Sequence, residues 1–271
     1  MKYPTAVRSK PRTPARPLFT LLTWLLACLA SMQATAGDMD IVGLKLGMTE
    51  SEAMAALKAH DATLTIAPIK SSFQYNDGVN YFQTEPFLAK IEARTRGSAQ
   101  ADAEFMLYFT PPPKGGRLWA VDRKERIQER QPTLAQYTEA LVTKYGKPLA
   151  TSRGGNALAW EFPAGRPTCL LRPPSDPAFP QFRPRNNNSG DLMGAIRAGQ
   201  LHKRVPQDLS NCASQMYYLL GQNDGVIGSF HAILLDIAGY ATAEQAAGAQ
   251  VQALEEKAKQ TRASKGQAPK L

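Results

Sequence analysis

The chain has 271 residues, 43% of them hydrophobic, with 32 Lys and Arg against 23 Asp and Glu, three cysteines and three histidines. Five of the basic residues fall in the first 36 positions, so without that segment the balance is 27 against 23, a net charge of +4 in place of +9. So mild an excess is the surface of an ordinary folded protein and removes the electrostatic support for nucleic-acid binding.

Those first 36 residues carry Lys2, Arg8, Lys10, Arg12 and Arg16, no acidic residue, and the apolar run PLFTLLTWLLACLASM from Pro17 to Met32. The run is short and interrupted for a membrane span, and Ala34 to Ala36 offer the small residues a signal peptidase requires. The reading is a signal peptide, residues 1–36, with Gly37 as the mature N-terminus in the periplasm. A rival uses LLAC at Leu25 to Cys28, which approximates a lipobox and would anchor a lipoprotein to the membrane through Cys28. Cys169 and Cys212 then remain in an oxidising compartment, where a pair tends to close into one disulfide; their spacing is not that of a redox-active Cys-x-x-Cys.

In chain order, DIVGLKLGMTESEAMAALKAH at Asp40 to His60 opens the mature protein. Leu44 and Leu46 alternate around Lys45 as in a strand edge, and Thr49 stands three residues before Glu52, the reciprocal capping-box spacing at a helix start. Ala53, Met54 and Leu57 stripe that helix, which ends near Ala59. TLTIAPI and VNYFQTEPFLAKIEART read as strands flanking a turn at Asn76, Asp77 and Gly78. EFMLYFTPPP and RLWAVDRKERI pair as a hairpin around a glycine pair, and a second helix runs from the cap Thr133 to Gly146, a glycine able to end it in the left-handed conformation ahead of Pro148.

The second half has strand candidates LAWEF and PTCLLR joined by PAGRP, then CASQMYYLL paired with VIGSFHAILLDI across GQNDG, then a helix over residues 241–261. The fold class is α+β: antiparallel hairpins and sheet packed by a few helices. The halves, 37–147 and 148–262, share a rhythm of hairpin followed by helix. The polar, basic end, residues 263–271, is a disordered tail. Between Arg172 and Gly190 a proline- and asparagine-rich loop offers Phe179, Phe182, Arg183 and Arg185 as a candidate contact surface.

Chemistry-bearing patterns are sparse. His60, His202 and His231 lie far apart without metal-ligand spacing, and no phosphate loop, nucleophile elbow or dinucleotide fingerprint is present, so neither a metal nor another cofactor is expected. Asp236 at a strand end reads as a turn cap, and Asp122 within AVDRKER as part of a solvent-facing charge run.

GLKLGMTESEAMAAL at Gly43 to Leu57 and YGKPLATSRGGNALAWEF at Tyr145 to Phe162 resemble two pieces of the SmpA/OmlA (BamE-like) family of small bacterial envelope domains. Shared features are the glycine and Met-Thr helix start, then Gly-x-Pro and an aromatic strand. The resemblance implies a layered α+β envelope protein that serves assembly by contact, with another envelope protein as partner. Each motif also has a structural reading in which Thr49 and Glu52 cap, Gly146 and Pro148 terminate, and Trp160 packs. The first expectation is therefore a non-catalytic binding or assembly module. Alternatives are a periplasmic inhibitor or small-ligand-binding protein and, third, a hydrolase with a dispersed site. An exposed apolar patch favours the first, an apolar cleft with converging polar groups the third.

Overall fold

The structure, a computed structural model, describes residues 39–95, 101–167, 169 and 208–266. Its elements are α1 (Glu50–His60), β1 (Thr65–Ser71), β2 (Gln74–Asn76), β3 (Tyr81–Gln83), β4 (Phe87–Arg94), β5 (Ala101–Phe109) and β6 (Leu118–Ile127). They continue with α2 (Leu134–Tyr145), β7 (Ala150–Thr151), β8 (Ala157–Phe162), β9 (Ser214–Asn223), β10 (Val226–Leu235) and α3 (Ile237–Ser264). Eight strands form one sheet in the order β1-β4-β5-β6-β10-β9-β8-β7, while β2 and β3 make a separate two-stranded ribbon. Every strand pair is antiparallel. The α+β class read from the sequence is the observed one.

One pattern occurs twice. A helix, α1 or α2, precedes four strands of a meander, and the two meanders meet through their last strands, with Val121 of β6 opposite Leu234 of β10. The helix thus comes before its strands, whereas the linear rhythm suggests a hairpin followed by a helix. Both helices begin in the same way: Thr49 accepts from the Glu52 N–H, Thr133 accepts from the Gln136 N–H, and each long side chain returns to the cap residue's own N–H. This reciprocal capping satisfies two donors that the first turn leaves orphaned. Replacing either threonine by alanine is expected to cost about 1 kcal/mol in chemical denaturation.

Strand alternation sorts the core into two layers. On one face α1 and α2 set Ala53, Leu57, Leu141 and Tyr145 over a floor that includes Ile91, Phe105, Leu107, Val121, Trp160, Tyr218 and Leu234. Leu57 is fully removed from solvent, a burial worth about 1.5–3 kcal/mol. The opposite face carries α3, whose Ile237, Ala238, Tyr240 and Ala241 cover Trp119, Ala120, Tyr217, Ile233 and Leu235. The Trp119 and Tyr240 rings stack at 4.0 Å. Cys169 and Cys212 form the expected disulfide within this second layer.

Several local expectations are corrected. Residues 43–46 are no strand: Val42 and Gly43 both adopt positive φ, 49° and 83°, and reverse the chain so that Ile41 bridges to Leu44. A two-residue reversal of that kind uses positive φ at both central positions, and the Asp40 carboxylate accepts from the Gly43 N–H at 2.6 Å. Gly146 does end α2 with φ 79°, but its ψ of −173° lies outside the left-handed helical region. The last helix starts at Ile237, before Ala241, and runs to Ser264, so Ala263 and Ser264 are helical and not part of a disordered tail. Asp236 caps that helix by accepting from the Gly239 N–H. Most of PTCLLR lies outside the described residues, as do residues 1–38 with Cys28.

Candidate functional site

Three features of the surface carry polar or apolar groups that the core does not need. The first is the part of the sheet on the α3 side that α3 leaves uncovered. Here β4, β5, β6 and β10 set Arg94, Glu104, Lys124 and His231 along a shallow depression of about 670 Å³, with Lys90 and Glu92 further along β4. The charges on this face are paired, Lys90 with Glu92 at 2.7 Å along β4 itself, and Arg94 with Glu104 at 3.1 Å and Lys124 with Glu104 at 4.0 Å across strands. The hydrogen bond from Lys90, the largest influence on Glu92, holds its carboxyl below the usual carboxylate range. The two pairs that share Glu104 are partly open to water and contribute about 0–1 kcal/mol each, whereas the Lys90 side chain is buried, 7% exposed.

The second feature was not legible in the sequence. Asp122 and His231, 109 residues apart, meet across the β6–β10 pairing with Oδ1 and Nε2 at 2.9 Å. Their side chains are 6% and 17% exposed. Asp122 is thus a buried hydrogen-bonded group and not part of a solvent-facing run. Its neighbour Arg123 points to the opposite face, with its guanidinium 4.9 Å from the Phe230 ring centre and 5.4 Å from that of Phe105, and it pairs with Glu125. The alternation Ala120, Asp122, Lys124 against Val121, Arg123, Glu125 was the available signal. A carboxylate can orient an imidazole for acid–base work, yet among the described residues no hydroxyl or thiol hydrogen-bonds the His231 ring.

The third feature is the β2–β3 ribbon. Its four-residue tip is set by the carboxylate of Asp77, whose Oδ1 accepts from the N–H groups of Val79 and Asn80 at 2.9 and 2.7 Å while Oδ2 accepts from Asn80 Nδ2. These donors, the Asn80 N–H foremost, hold the Asp77 carboxyl below its ordinary range. Gly78 takes φ 93°, and the Asn76 side chain accepts from its N–H. The ribbon leans on α3, where Glu255 Oε1 accepts from the Asn76 backbone N–H and from Nδ2. A tip fixed in this way still exposes Val79 at 68% and Tyr81 at 81%. Tyr75 and Phe82 stack on the other ribbon face at 5.4 Å.

The residues singled out in the sequence fall elsewhere. Thr49, Glu52 and Gly146 sit at helix ends, and Trp160 Nε1 donates to the Gly146 carbonyl at 3.0 Å. Of the two stretches that carry the family resemblance, the second reaches the residues just ahead of the first, since Tyr145 donates its hydroxyl to the Asp40 carbonyl at 2.7 Å; the neighbouring Lys144 pairs with the Asp40 carboxylate. His60 stands at the end of α1 against the Phe105 ring, and desolvation there lowers its pKa. His202 and the loop residues Phe179, Phe182, Arg183 and Arg185 lie outside the described residues. Among the described residues no helix is long and apolar enough to cross a membrane, and no group of three or more His, Cys, Asp or Glu is placed so that it could hold a metal ion. The chain matches no family model, no curated protein and no solved structure.

Proposed function

We propose that the protein is an exported, periplasmic component of the bacterial envelope that works as a non-catalytic binding or assembly module, with the β2–β3 ribbon as its contact element. The observation that carries this reading is a difference between the two halves of the sheet. In the second half β7 joins β8 through five residues, whereas in the first half the equivalent link from β1 to β4 takes fifteen and contains the whole ribbon. Closing the sheet needs only the short turn. Among the additional residues Val79, Tyr81 and Phe82 are exposed to solvent, and a hydrogen-bonded tip carrying such side chains suits a partner's pocket because little order is lost on docking.

The disulfide fits an oxidising compartment, and the resemblance of residues 43–57 and 145–162 to SmpA/OmlA domains supports an envelope role by contact. The charges beside His231 are paired with one another, which leaves the ribbon's exposed side chains as the more available surface. The partner expected is another envelope protein, with neither nucleic acid nor a cofactor involved. The test is a photo-crosslinking amino acid placed at Tyr81 in living cells, beside a control at the exposed Lys58 of α1. One discrete protein adduct is expected from position 81 and none from position 58. Identical adduct patterns from both positions, or none from either, would refute the ribbon as the contact element.

A further inference from the structure

Between the ribbon and the last turns of α3 runs a groove of about 470 Å³ that the proposed contact element leaves open. One wall is the stacked pair Tyr75 and Phe82. The other is a single face of α3, in which Leu254, Ala258 and Thr261 recur at helical spacing, flanked by Lys257, Arg262 and Lys265. The groove is therefore apolar at its centre and cationic along one rim.

The charges in and around it are unequally satisfied. Asp77 is 4% exposed, and the tip's own donors occupy its oxygens while holding it ionised, so that its charge partly offsets that of Arg262; Glu255 is engaged by Asn76. Glu256, on the same helix, pairs with Lys259. Among the described residues Lys257, Arg262 and Lys265 form no ion pair within 4 Å. Arg262 is the most fixed of the three, since its guanidinium lies against Gly78, where an added Cβ would stand 3.3 Å from Nη2. Cations in the last turn of a helix also complement its carbonyl end, which accounts for Arg262 and Lys265. Lys257 lies further back from the helix end and is not explained in that way.

Resting on the reading of the ribbon as the contact element, we infer that this groove seats an extended acidic segment of the protein partner. An aromatic or aliphatic side chain of the segment lies against Tyr75 and Phe82, and its carboxylates face Lys257, Arg262 and Lys265. The charge complementarity selects an acidic segment. The groove follows the ribbon and the helix side by side, the course of an extended segment, and the stacked aromatic wall gives it one apolar anchor.

The test uses fluorescence anisotropy with the full mature protein and two capped synthetic peptides, one of glutamates around a single phenylalanine and one with lysines in place of the glutamates. The acidic peptide is expected to bind, to weaken as salt is raised, and to lose about fivefold in affinity in the variant Lys257→Gln with Lys265→Gln, two exposed charge contacts being worth together about 1 kcal/mol. Lys58→Gln on α1 should leave binding unchanged. Absence of binding by the acidic peptide, equal binding of the lysine peptide, or indifference to the lysine substitutions each overturns the inference. A crosslink from position 81 that persists in such a case leaves the ribbon as contact element and removes only the acidic segment. Loss of that crosslink with peptide binding intact does the reverse.

Discussion

Replacing Cys169 and Cys212 together by alanine is expected to lower stability by about 2–5 kcal/mol, read as an earlier midpoint in thermal or chemical melting. The bond links positions 43 apart in sequence, and the chain-entropy argument assigns a closed loop of that size about 4 kcal/mol through restriction of the unfolded chain. The native side of the balance is favourable too. Cys212 is fully buried and Cys169 nearly so, beside Leu209, Tyr217 and Ala238 in the layer beneath α3. The bond also reinforces a junction that already exists, since the Ala213 N–H donates to the Pro167 carbonyl just after β8 and just before β9. Alanine at both sites leaves that backbone contact and the strand pairing in place, so the variant should still fold, only less stably. Alkylation followed by mass measurement of the exported wild type should find neither thiol free. Two reactive thiols with an unchanged melting midpoint would contradict the assignment of the bond as a stabilising element.

The sequence was most informative where the signal is local. Thr49 with Glu52 and Thr133 before its helix mark starts that depend on a few neighbouring atoms, and the Asn76-Asp77-Gly78 and GQNDG turns mark reversals that glycine and asparagine make cheap. Errors arose where two local signals overlap. In AILLDIAGY the apolar run continues past Asp236, so the strand hides the start of α3, and only the role of Asp236 as N-cap separates them. The run GLKL alternates like a strand edge, yet Val42 and Gly43 turn the chain on itself and send Ile41 and Leu44 both into the core. What pairs at long range left no trace in the linear pattern. The β6–β10 seam brings Asp122 to His231, and nothing in either strand names the other. The exposed side chains of the ribbon were likewise invisible as a surface. Tyr75, Val79, Tyr81 and Phe82 look like any strand's alternating apolar residues until the ribbon is seen to stand apart from the sheet.

The second large effect expected is unfolding in alkali. Five phenols, those of Tyr108, Tyr137, Tyr145, Tyr217 and Tyr218, have raised pKa values with desolvation as the leading cause; that of Tyr145 is pushed up to about 12. They crowd the layers on both faces of the sheet, Tyr217 beneath α3 and, on the other face, Tyr145 of α2 over Tyr218 of β9, the hydroxyls of these last two 3.1 Å apart. A tyrosine whose folded pKa exceeds its unfolded one stabilises the fold fully below the unfolded value, about 10, and that contribution is lost as pH rises through the folded value. Above about pH 10 the unfolded chain releases these protons while the folded one keeps them, so each step in pH favours unfolding. The two most deeply buried, Tyr217 and Tyr218, alone contribute a slope of about 3 kcal/mol per pH unit in that range. A domain of ordinary stability, about 5–15 kcal/mol, then unfolds within a few units. Circular dichroism and tyrosinate absorbance should change together in one cooperative transition above pH 10. Tyr217→Phe and Tyr218→Phe should move it to higher pH, because each removes a group that titrates only in the unfolded chain. Gradual tyrosinate formation near pH 10 with the circular dichroism unchanged would show these phenols open to solvent, contrary to their burial here.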